Sequence, residues 1–535
     1  MITDIIEGAE ALPASPAPIE LQDVKQRDAL LTICDDAQFW RTPEGETFAS
    51  VPVDNHTEHY ALNSRSFRDW LLGKLARGYV KKGRPAAVGE NAVCEAIQTL
   101  EALAQLRGIK HRAPLRVAEH AGEIYIDRGT EDWSAIRIRP GGYDIVQVPP
   151  VPILRSKRTG PLPTPADVAG LHQLRKLLRR LDETDFVLFI SWCIGALSPT
   201  GPYPILILSG EAGCGKSTLV RLAQRLVDPV TGDVLQPPGN DRDLIAAARH
   251  GHVLAFDNLS SIRAELADSL CRLATGSEIG GRAMYSDYDR ASFAASRPLI
   301  LNGIPDLAAR GDLADRAIVI RLAPLVGRVT EKDYWRDVEE ALPGALATLL
   351  DALALALKRR DGISTPDVRM ADFARLVVAA EPALPWKRGS FLSAYASNKQ
   401  AAISVVVEAD LVASTILTFA KKRPHGWSGL KSVLLGELSG DVPIEAKRTG
   451  DWPGSLRNFA DRLRRAMPAL RSLGVHISER RISDGIEITI AAAISATSAT
   501  SATSATSATE DARESKHEFN GSAVNVANVA GDAGV

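Results

Sequence analysis

Nine consecutive residues carry the clearest chemistry in this sequence. They run Gly210-Glu211-Ala212-Gly213-Cys214-Gly215-Lys216-Ser217-Thr218. They fit the pattern G-x-x-x-x-G-K-[ST], in which backbone N–H groups of a glycine-rich turn surround phosphate oxygens at a helix N-terminus. In this pattern the lysine brings a positive charge to the β- and γ-phosphates, and the next hydroxyl, here Ser217, is a ligand of Mg²⁺. We therefore predict that these residues bind ATP together with Mg²⁺.

The chain on either side supplies the elements that this pattern needs. Residues 203–208 form a short apolar run with β-branched members, which predicts a buried strand. Residues 219–226 have helical spacing, and Asp228-Pro229 ends the helix. Strand, glycine loop and helix follow one another as the pattern requires, so a chance glycine-rich turn is the weaker interpretation.

Two polar residues stand at the ends of later apolar strands. Asp257 ends the run 252–256, where we expect a second residue that organises Mg²⁺. Asn302 ends the run 298–301, where it can position the attacking water beside the γ-phosphate. The alternative for Asn302 is a simple Asn-Gly turn with Gly303. We predict catalytic roles for Lys216, Asp257 and Asn302.

Arg316 precedes another apolar strand, 317–322. An arginine at this point can reach the phosphate of a neighbouring subunit and stabilise the charge of the transition state. A surface salt bridge with Asp312 or Asp315 explains the same residue equally well. Arg316 is therefore a candidate catalytic residue with an open alternative.

Two further sets of charged residues are ambiguous. Asp127, Arg137 and Arg139 lie on predicted strands, where alternation favours solvent-facing positions over a site. The predicted helix 171–181 carries four basic residues, which either touch nucleic acid or form a solvated face. These four are Arg175, Lys176, Arg179 and Arg180.

Length and composition exclude several classes of protein. At 535 residues the chain is too long for one hydrophobic core and suggests about three domains. Its formal net charge of −2 shows no basic excess, so nucleic-acid binding must come from local patches. Its five scattered cysteines form no C-x-x-C pair, which argues against a zinc site or a disulfide framework. We expect no signal peptide, no membrane contact and a cytoplasmic location.

The predicted elements divide the chain into consecutive segments. From the N-terminus these are a disordered arm (1–26), a mixed α/β module (27–155), a linker (156–166), a phosphate-loop ATPase domain (167–325), a helical lid or connector (326–408), a winged-helix-like domain (409–492) and a disordered tail (493–535). The tail includes Ser-Ala-Thr repeats and lacks the bulky apolar residues that a core needs. We therefore predict the α/β fold class with two flanking modules.

The winged-helix prediction rests on three helices followed by a hairpin. In such a fold the third helix enters the major groove, and nearby basic side chains contact phosphates. Arg462, Arg465 and the pair Arg480-Arg481 would supply these contacts. A winged helix that contacts only protein is the alternative, and the local basic cluster favours DNA.

The glycine loop, the two strand tips and the arginine together resemble the AAA+ ATPases of the superfamily 3 helicase type. The similarity is greatest to the helicase half of phage and poxvirus-type primase-helicases and to prophage ATP-binding proteins. It is carried by residues 210–218, 253–258, 299–302 and 312–322. The resemblance implies a homo-oligomeric ring, with a hexamer as one form, and a hairpin that contacts DNA in the central channel. Arg282 and Arg290 are the candidates for that hairpin.

One residue departs from the resemblance. The family usually has a second acid after the strand-ending Asp, which acts as general base toward water. Here Asn258 occupies that position, and an amide cannot take a proton at neutral pH. Either Glu211 or Glu278 replaces it, or hydrolysis is slow.

These observations lead to two functional hypotheses. The first is a Mg²⁺-dependent ATPase that acts on DNA as the replicative helicase of a phage or another mobile element. The second is an ATP-binding, DNA-binding initiator or scaffold that does not unwind DNA. Asn258 favours the second, and the remaining motifs favour the first.

Overall fold

The computed structural model describes residues 19–21, 24–168, 170–282, 290–293, 295–303, 311–325, 327 and 329–492. The predicted disordered tail and most of the predicted arm lie outside these residues. The first region contains three helices and two small sheets, ordered β4-β3-β2-β7 and β1-β5-β6. Its elements are β1 (Ile19–Glu20), α1 (Gln26–Thr32), β2 (Gln38–Arg41), β3 (Thr47–Val53), β4 (His56–Ala61), α2 (Arg65–Gly78), β5 (Tyr79–Lys81), β6 (Arg84–Pro85), α3 (Glu90–Arg107) and β7 (Ile109–Lys110).

Local signals in the sequence explain the helices of this region. The Ser64 hydroxyl accepts a hydrogen bond from the Phe67 N–H and so caps α2. In α3 the buried residues recur at helical spacing and face a small core shared with α1 and α2. They are Val93, Ala96, Leu100 and Ala104.

An antiparallel sheet of order β11-β10-β9-β8 follows. Its strands are β8 (Val117–His120), β9 (Glu123–Asp127), β10 (Ala135–Arg139) and β11 (Gly142–Val146). The inward residues of this sheet, among them Ile126 and Ile136, belong to the same hydrophobic core as the phosphate-loop region. Asp127 is buried and paired with Arg155 at 2.5 Å, whereas Arg137 pairs with Asp144 nearer the surface. The prediction that Asp127 faces solvent is therefore wrong.

A four-stranded parallel sheet of order β13-β16-β12-β17 carries the phosphate loop. The elements of this region are α4 (Gly170–Leu177), α5 (Glu183–Ala196), β12 (Ile205–Gly210), α6 (Lys216–Val227), α7 (Asp241–Ala248), β13 (Leu254–Leu259), α8 (Ala264–Thr275), β14 (Ile279–Arg282), β15 (Arg290–Phe293), β16 (Leu299–Gly303), α9 (Gly311–Ala314) and β17 (Ala317–Leu322). Alternate residues of β12 enter different cores, with Leu206 on one face of the sheet and Ile207 on the other. Because both faces are covered, the strands are near-continuous apolar runs.

A long helix packs against the parallel sheet region and continues through a proline. The elements here are α10 (Glu331–Arg359), a short 3₁₀ turn (Arg360–Gly362), α11 (Ala371–Ala380), a second 3₁₀ turn (Glu381–Ala383) and α12 (Ser390–Ala409). The sequence predicts a break at Pro343-Gly344, and that prediction is wrong. The Pro343 carbonyl accepts a hydrogen bond from the Ala166 N–H, and Gly344 packs against Gly170 at the start of α4. Tertiary packing therefore holds the helix continuous where local propensity opposes it.

Helix α10 is also long and apolar enough to cross a membrane, by length and composition alone. The stretch Glu331–Gly362 passes that test, and most of its apolar window is buried within the described fold. Helices α12 and Leu411–Lys421 pass only as a pair bent by 108°. The apolar surface of α10 is used against α4, α11 and the sheet β10–β11.

The last region has three main helices and a three-stranded sheet of order β18-β20-β19. Its elements are α13 (Leu411–Lys421), β18 (Trp427–Leu430), α14 (Lys431–Gly440), α15 (Ile444–Arg448), α16 (Leu456–Ser472), β19 (Val475–Ile482) and β20 (Gly485–Ala492). Its separate core includes Phe419, Phe459 and Leu463. The predicted helices and hairpin are present, with β18 and α15 added.

A buried ionic network joins the antiparallel sheet to the end of α6. Arg116 Nε donates to Asp228 Oδ1 at 2.7 Å, and the backbone N–H groups of His252 and Val253 donate to Oδ2. The remaining guanidinium donors bond to the carbonyls of Asp127, Gly160 and Pro229. Each nitrogen of this buried guanidinium therefore has a hydrogen-bond partner, which offsets the cost of burying such a pair.

Candidate functional site

The glycine loop has the backbone geometry that phosphate binding requires. It lies between β12 and α6, and Gly210, Gly213 and Gly215 have φ angles of 147°, 76° and 83°. Such positive φ angles favour glycine, and they let successive N–H groups turn toward one point. Glu211 and Ala212 are exposed at the tip, Cys214 is buried, and Ser217 and Thr218 lie half-buried in the first turn of α6.

Lys216 bonds to its own loop. Its Nζ donates to the carbonyls of Gly210 at 2.9 Å and Glu211 at 2.8 Å. A flexible four-carbon side chain can leave such carbonyls for a phosphate without moving the backbone.

Three of the predicted residues meet beside the loop. Asn302 Nδ2 donates to Ser217 Oγ at 3.2 Å and also contacts Asp257 Oδ1. Strand pairing produces this meeting, because Asn302 lies opposite Leu208 in register and β13 is the next strand after β16. Asn302 is almost fully buried, and its Oδ1 has no hydrogen-bond partner among the described residues. A buried amide oxygen without a partner is costly, which indicates that another polar group completes this site.

A bulge in β13 shapes the position of Asp257. The register with β16 shifts between Phe256 and Leu259, and Asn258 has a φ of 60°. Asparagine tolerates this left-handed conformation better than most residues. The Asn258 N–H donates to Asp257 Oδ1 at 2.7 Å, while the Asn258 side chain is exposed. The bulge therefore fixes the carboxylate of Asp257 and turns the Asn258 amide away from the core.

The residues fit a Mg²⁺ ion in the manner common to phosphate-binding proteins. Mg²⁺ is usually held by one or two carboxylates, substrate phosphates and waters. Ser217 and Asp257 provide a hydroxyl and a carboxylate within reach of one amide group. Among the described residues, no group of three or more His, Cys, Asp or Glu side chains is placed to hold a metal ion by itself.

Arg316 lies at the opposite end of the parallel strands from the glycine loop. Its carbonyl accepts from the Ile205 N–H at the start of β12, whereas the loop follows Gly210 at the end of that strand. The strand separates the two by roughly 15 Å at about 3.3 Å per residue. Arg316 Nη1 donates to the Asp312 carbonyl at 3.0 Å, and its Nε is buried without a partner in the described residues. The Asp315 carboxylate pairs with Lys399 and Arg369 instead.

Arg180 contacts the loop, which the sequence does not predict. It donates from Nη1 to the Cys214 carbonyl at 2.6 Å and from Nη2 to the Gly215 carbonyl at 3.2 Å. The buried hydroxyl of Tyr334 has no partner among the described residues. Burial raises the Tyr334 pKa, and Arg180 opposes that shift. The only sequence signal was a basic helix, and nothing in its spacing points to the glycine loop.

The two arginines predicted for a DNA-contacting hairpin do lie on a hairpin. Strands β14 and β15 pair antiparallel, with Arg282 directly opposite Arg290. Residues 283–289, which connect them, lie outside the described residues. Glu278 is exposed just before β14, so the candidate bases Glu211 and Glu278 both lie at the surface.

The basic residues of the C-terminal region divide into paired and unpaired groups. Arg462 and Arg464 pair with Asp410 and Asp461, and Arg465 donates to the Asp461 carbonyl. Arg480 and Arg481 are exposed next to the turn of the β19–β20 hairpin. Within the described part of the chain no ion pair involves either of them. These two residues are available to a phosphate backbone.

The parallel sheet, the glycine loop and the polar strand tips define an α/β core of the phosphate-loop type. Residues 172–398 match the family described as actinomycete integrative conjugative element replication protein, RepA. Residues 412–507 match the C-terminal domain of the same RepA proteins. Over these two regions the chain is similar to RepA replication proteins.

Comparisons with other proteins gave weaker similarities. No curated protein matches the sequence. The SCCmec type IV Cch protein, an active helicase, is 13% identical over 85% of this chain and 92% of its own, with a TM-score of 0.45. The NrS-1 C-terminal region is 12% identical over 88% and 100%, with a TM-score of 0.38. The JCV helicase is 14% identical over 40% and 60%, with a TM-score of 0.22. All three scores are below 0.5, so the assignment rests on the two sequence matches.

Proposed function

We propose that this protein is an ATP-dependent motor that acts on DNA in the cytoplasm, as the replicative helicase of a mobile element. The RepA family supports a role in DNA replication. The observation that best supports a motor is that Asn302 contacts both Ser217 and Asp257 beside the glycine loop. A loop that only bound nucleotide would not need an amide placed at this point.

Each residue of the site has a proposed role in hydrolysis. The N–H groups of the loop and Lys216 would hold the phosphates, while Ser217 and Asp257 would hold Mg²⁺, which would neutralise the developing charge. Asn302 would orient the attacking water through its unpartnered Oδ1. Arg180 would keep the last turn of the loop in place through two carbonyls.

The position of Arg316 supports a homo-oligomer. Since Arg316 and the loop lie at opposite ends of the parallel strands, Arg316 cannot reach the phosphates of its own subunit. A ring, with a hexamer as one form, would place every Arg316 against the next subunit's loop.

Two surfaces are proposed to contact DNA. The β14–β15 hairpin would present Arg282 and Arg290 in the channel of the ring. The C-terminal region has the helix and strand order of a winged helix, with α16 as the third helix and β19–β20 as the wing. Arg480 and Arg481 on the wing would contact phosphates, which is the usual role of unpaired basic residues beside a recognition helix.

Asn258 favours a second candidate function. An amide at the position of the expected base would leave hydrolysis slow, and the protein would then act as an ATP-switched initiator that binds DNA without unwinding it. Neither Glu211 nor Glu278 contacts Asp257 or Asn302 in the described part of the chain. The two candidates differ in turnover, not in nucleotide binding.

Steady-state ATP hydrolysis with and without single-stranded DNA tests the proposal. Lys216→Ala is the blank, because it removes the positive charge that would lie against the phosphates and leaves the fold intact. We expect turnover above the blank that rises when single-stranded DNA is added. ATP binding without turnover above the blank would reject the motor and leave the initiator.

A further inference from the structure

A cavity of about 270 Å³ lies in the N-terminal region, away from the glycine loop. One wall comes from the sheet β4-β3-β2-β7 and the other from Trp133 and the segment 147–152. Pockets for drug-sized ligands begin at roughly 300 Å³, so this cavity is suited to a smaller group. No residue of the cavity belongs to the site described above.

The lining combines rings with neutral hydrogen-bonding groups. Phe39, Trp40 and Trp133 supply rings, and the polar lining residues are Gln38, Ser50, Thr57, His59, His111 and Gln147. No Asp, Glu, Lys or Arg side chain lines the cavity. Such a lining selects a flat, uncharged group that carries both donors and acceptors.

His59 is fixed in the wall as a neutral ring. Its Nδ1 bonds to Ser50 Oγ at 2.8 Å, and Ser50 Oγ also accepts from Trp40 Nε1 at 3.0 Å. Burial lowers the pKa of His59 to about 4. No residue among those described occupies its Nε2, which leaves one donor or acceptor site for a ligand.

Trp133 is held in a conformation that is rare for a large side chain. Its φ is 52°, and its backbone N–H donates to the Thr130 carbonyl. The Arg155 guanidinium lies 4.0 Å from its ring, and Arg155 is fixed in turn by Asp127. A bulky residue at positive φ is strained and persists only where its surroundings hold it, often at binding sites.

We propose that this cavity takes a single unstacked nucleobase of single-stranded DNA. A base is flat, uncharged and edged with donors and acceptors, and it stacks on aromatic side chains whatever its identity. The exposed residues Lys110 and Arg112 alternate along the chain with the lining residues Ile109 and His111. In this proposal they would contact the phosphates on either side of the base. This inference rests on the proposed action on DNA and assigns a second contact outside the ring channel and the wing.

Substitution of Trp133 in the full-length protein tests the pocket. Trp133→Asn removes the ring and keeps a residue that tolerates positive φ, whereas Trp133→Phe keeps a ring. We expect Trp133→Asn to weaken oligothymidylate binding by roughly 5- to 150-fold, the range found for one base–aromatic stack. Trp133→Phe should retain most of the affinity. Trp70→Leu is the matched control, since Trp70 lies in the same region outside the cavity.

Photocrosslinking of an oligothymidylate that contains 5-iodouracil then locates the contact. Crosslinks on peptides with Phe39, His59 or Trp133 would support the pocket. Crosslinks confined to the β14–β15 hairpin or the wing, with unchanged affinity of Trp133→Asn, would overturn the pocket and leave the proposed function standing. Absence of both binding and crosslinks would reject the two together.

Discussion

Asn258 is the single residue on which the choice between motor and initiator depends. It lies on the bulge of β13 at a φ of 60°, one position beyond the Asp257 carboxylate. Its side chain is exposed toward solvent at the edge of the sheet where the glycine loop lies. A carboxylate in its place would have the freedom that a base for water requires.

We therefore expect Asn258→Asp to raise the kcat of ATP hydrolysis by roughly 10²-fold or more, the range that a positioned general base supplies. Aspartate tolerates the left-handed backbone, so the bulge should remain. The measurement is steady-state hydrolysis at saturating ATP. Asn258→Gly, which removes the side chain without strain, should leave the rate of the parent unchanged. An unchanged rate in Asn258→Asp would show that another group already takes the proton.

His252 makes a prediction about acid stability. Its ring is buried, its Nε2–H donates to the Ala196 carbonyl at 2.7 Å, and burial lowers its pKa to about 4. The unfolded chain binds a proton near pH 6.5 and the folded protein only near pH 4, so stability is lost as pH falls between these values. At 1.36 kcal/mol per pKa unit, this residue accounts for about 3 kcal/mol of that loss.

We expect His252→Gln to remove most of that contribution, because glutamine keeps a donor for Ala196 and does not titrate. Urea unfolding at pH 7 and at pH 4.5 measures the difference for each protein. His59 titrates in the same window, so the variant should retain a smaller acid sensitivity. An identical pH dependence in the parent and the variant would contradict this assignment.

For single residues, a place in the site could be predicted where the local sequence pattern determines it. It could not be predicted where only tertiary packing determines it. Ser217, Asp257 and Asn302 each stand at a strand or helix end, and parallel pairing brings such ends together. Arg180 reaches the loop only because α4 packs on α10, which no local pattern shows. The roles assigned to Ser217, Asp257 and Asn302 stay predictions.

At the scale of the elements, helices α4 and α10 cross with their backbones in contact. Gly170 and Gly344 face each other there, and a Cβ atom on Gly170 would collide with the backbone of Gly344 and Ala345. Because the helices approach to backbone contact, no side chain can be added without moving one of them. Arg180 follows α4 by one turn, so this crossing also sets its distance from the glycine loop.

We expect Gly170→Ala to lower the free energy of unfolding by about 1–3 kcal/mol, the usual cost of overpacking a core. It should also weaken nucleotide binding, because it displaces Arg180. Gly73→Ala is the matched control, since Gly73 lies inside α2 with open space around its Cβ position. That change should stabilise the protein by roughly 0.5–1 kcal/mol. Chemical unfolding and ATP titration of both variants measure these effects.

Prediction of the elements succeeded where apolar periodicity was strong. Each strand of the parallel sheet was predicted from an apolar run. Strand β4 was missed because His56–Ala61 is polar and half-buried throughout. Strand β18 was missed because Trp427–Leu430 contains a glycine and is completed only by pairing with β20. The predicted domain boundaries stay predictions.

For the whole molecule, the placement of Arg316 predicts complementation between subunits. Lys216→Ala and Arg316→Ala should each abolish hydrolysis alone. A mixture of the two variants should recover activity, because some interfaces would combine an intact loop from one subunit with an intact arginine from the next. Steady-state hydrolysis of the mixture against each variant alone measures this. A mixture no more active than its components would show that Arg316 does not act between subunits.

The Arg116–Asp228 pair limits how the chain can be shortened. A fragment that begins at the predicted linker, residue 156, would keep Asp228 and lose Arg116 together with strands β8–β11. It would leave a buried carboxylate without its cation, and it would strip the apolar cover from part of the core beneath α10. A shortened chain should therefore start before Arg116, and fragments cut at 156 should be insoluble or sensitive to protease even though they keep the whole glycine loop.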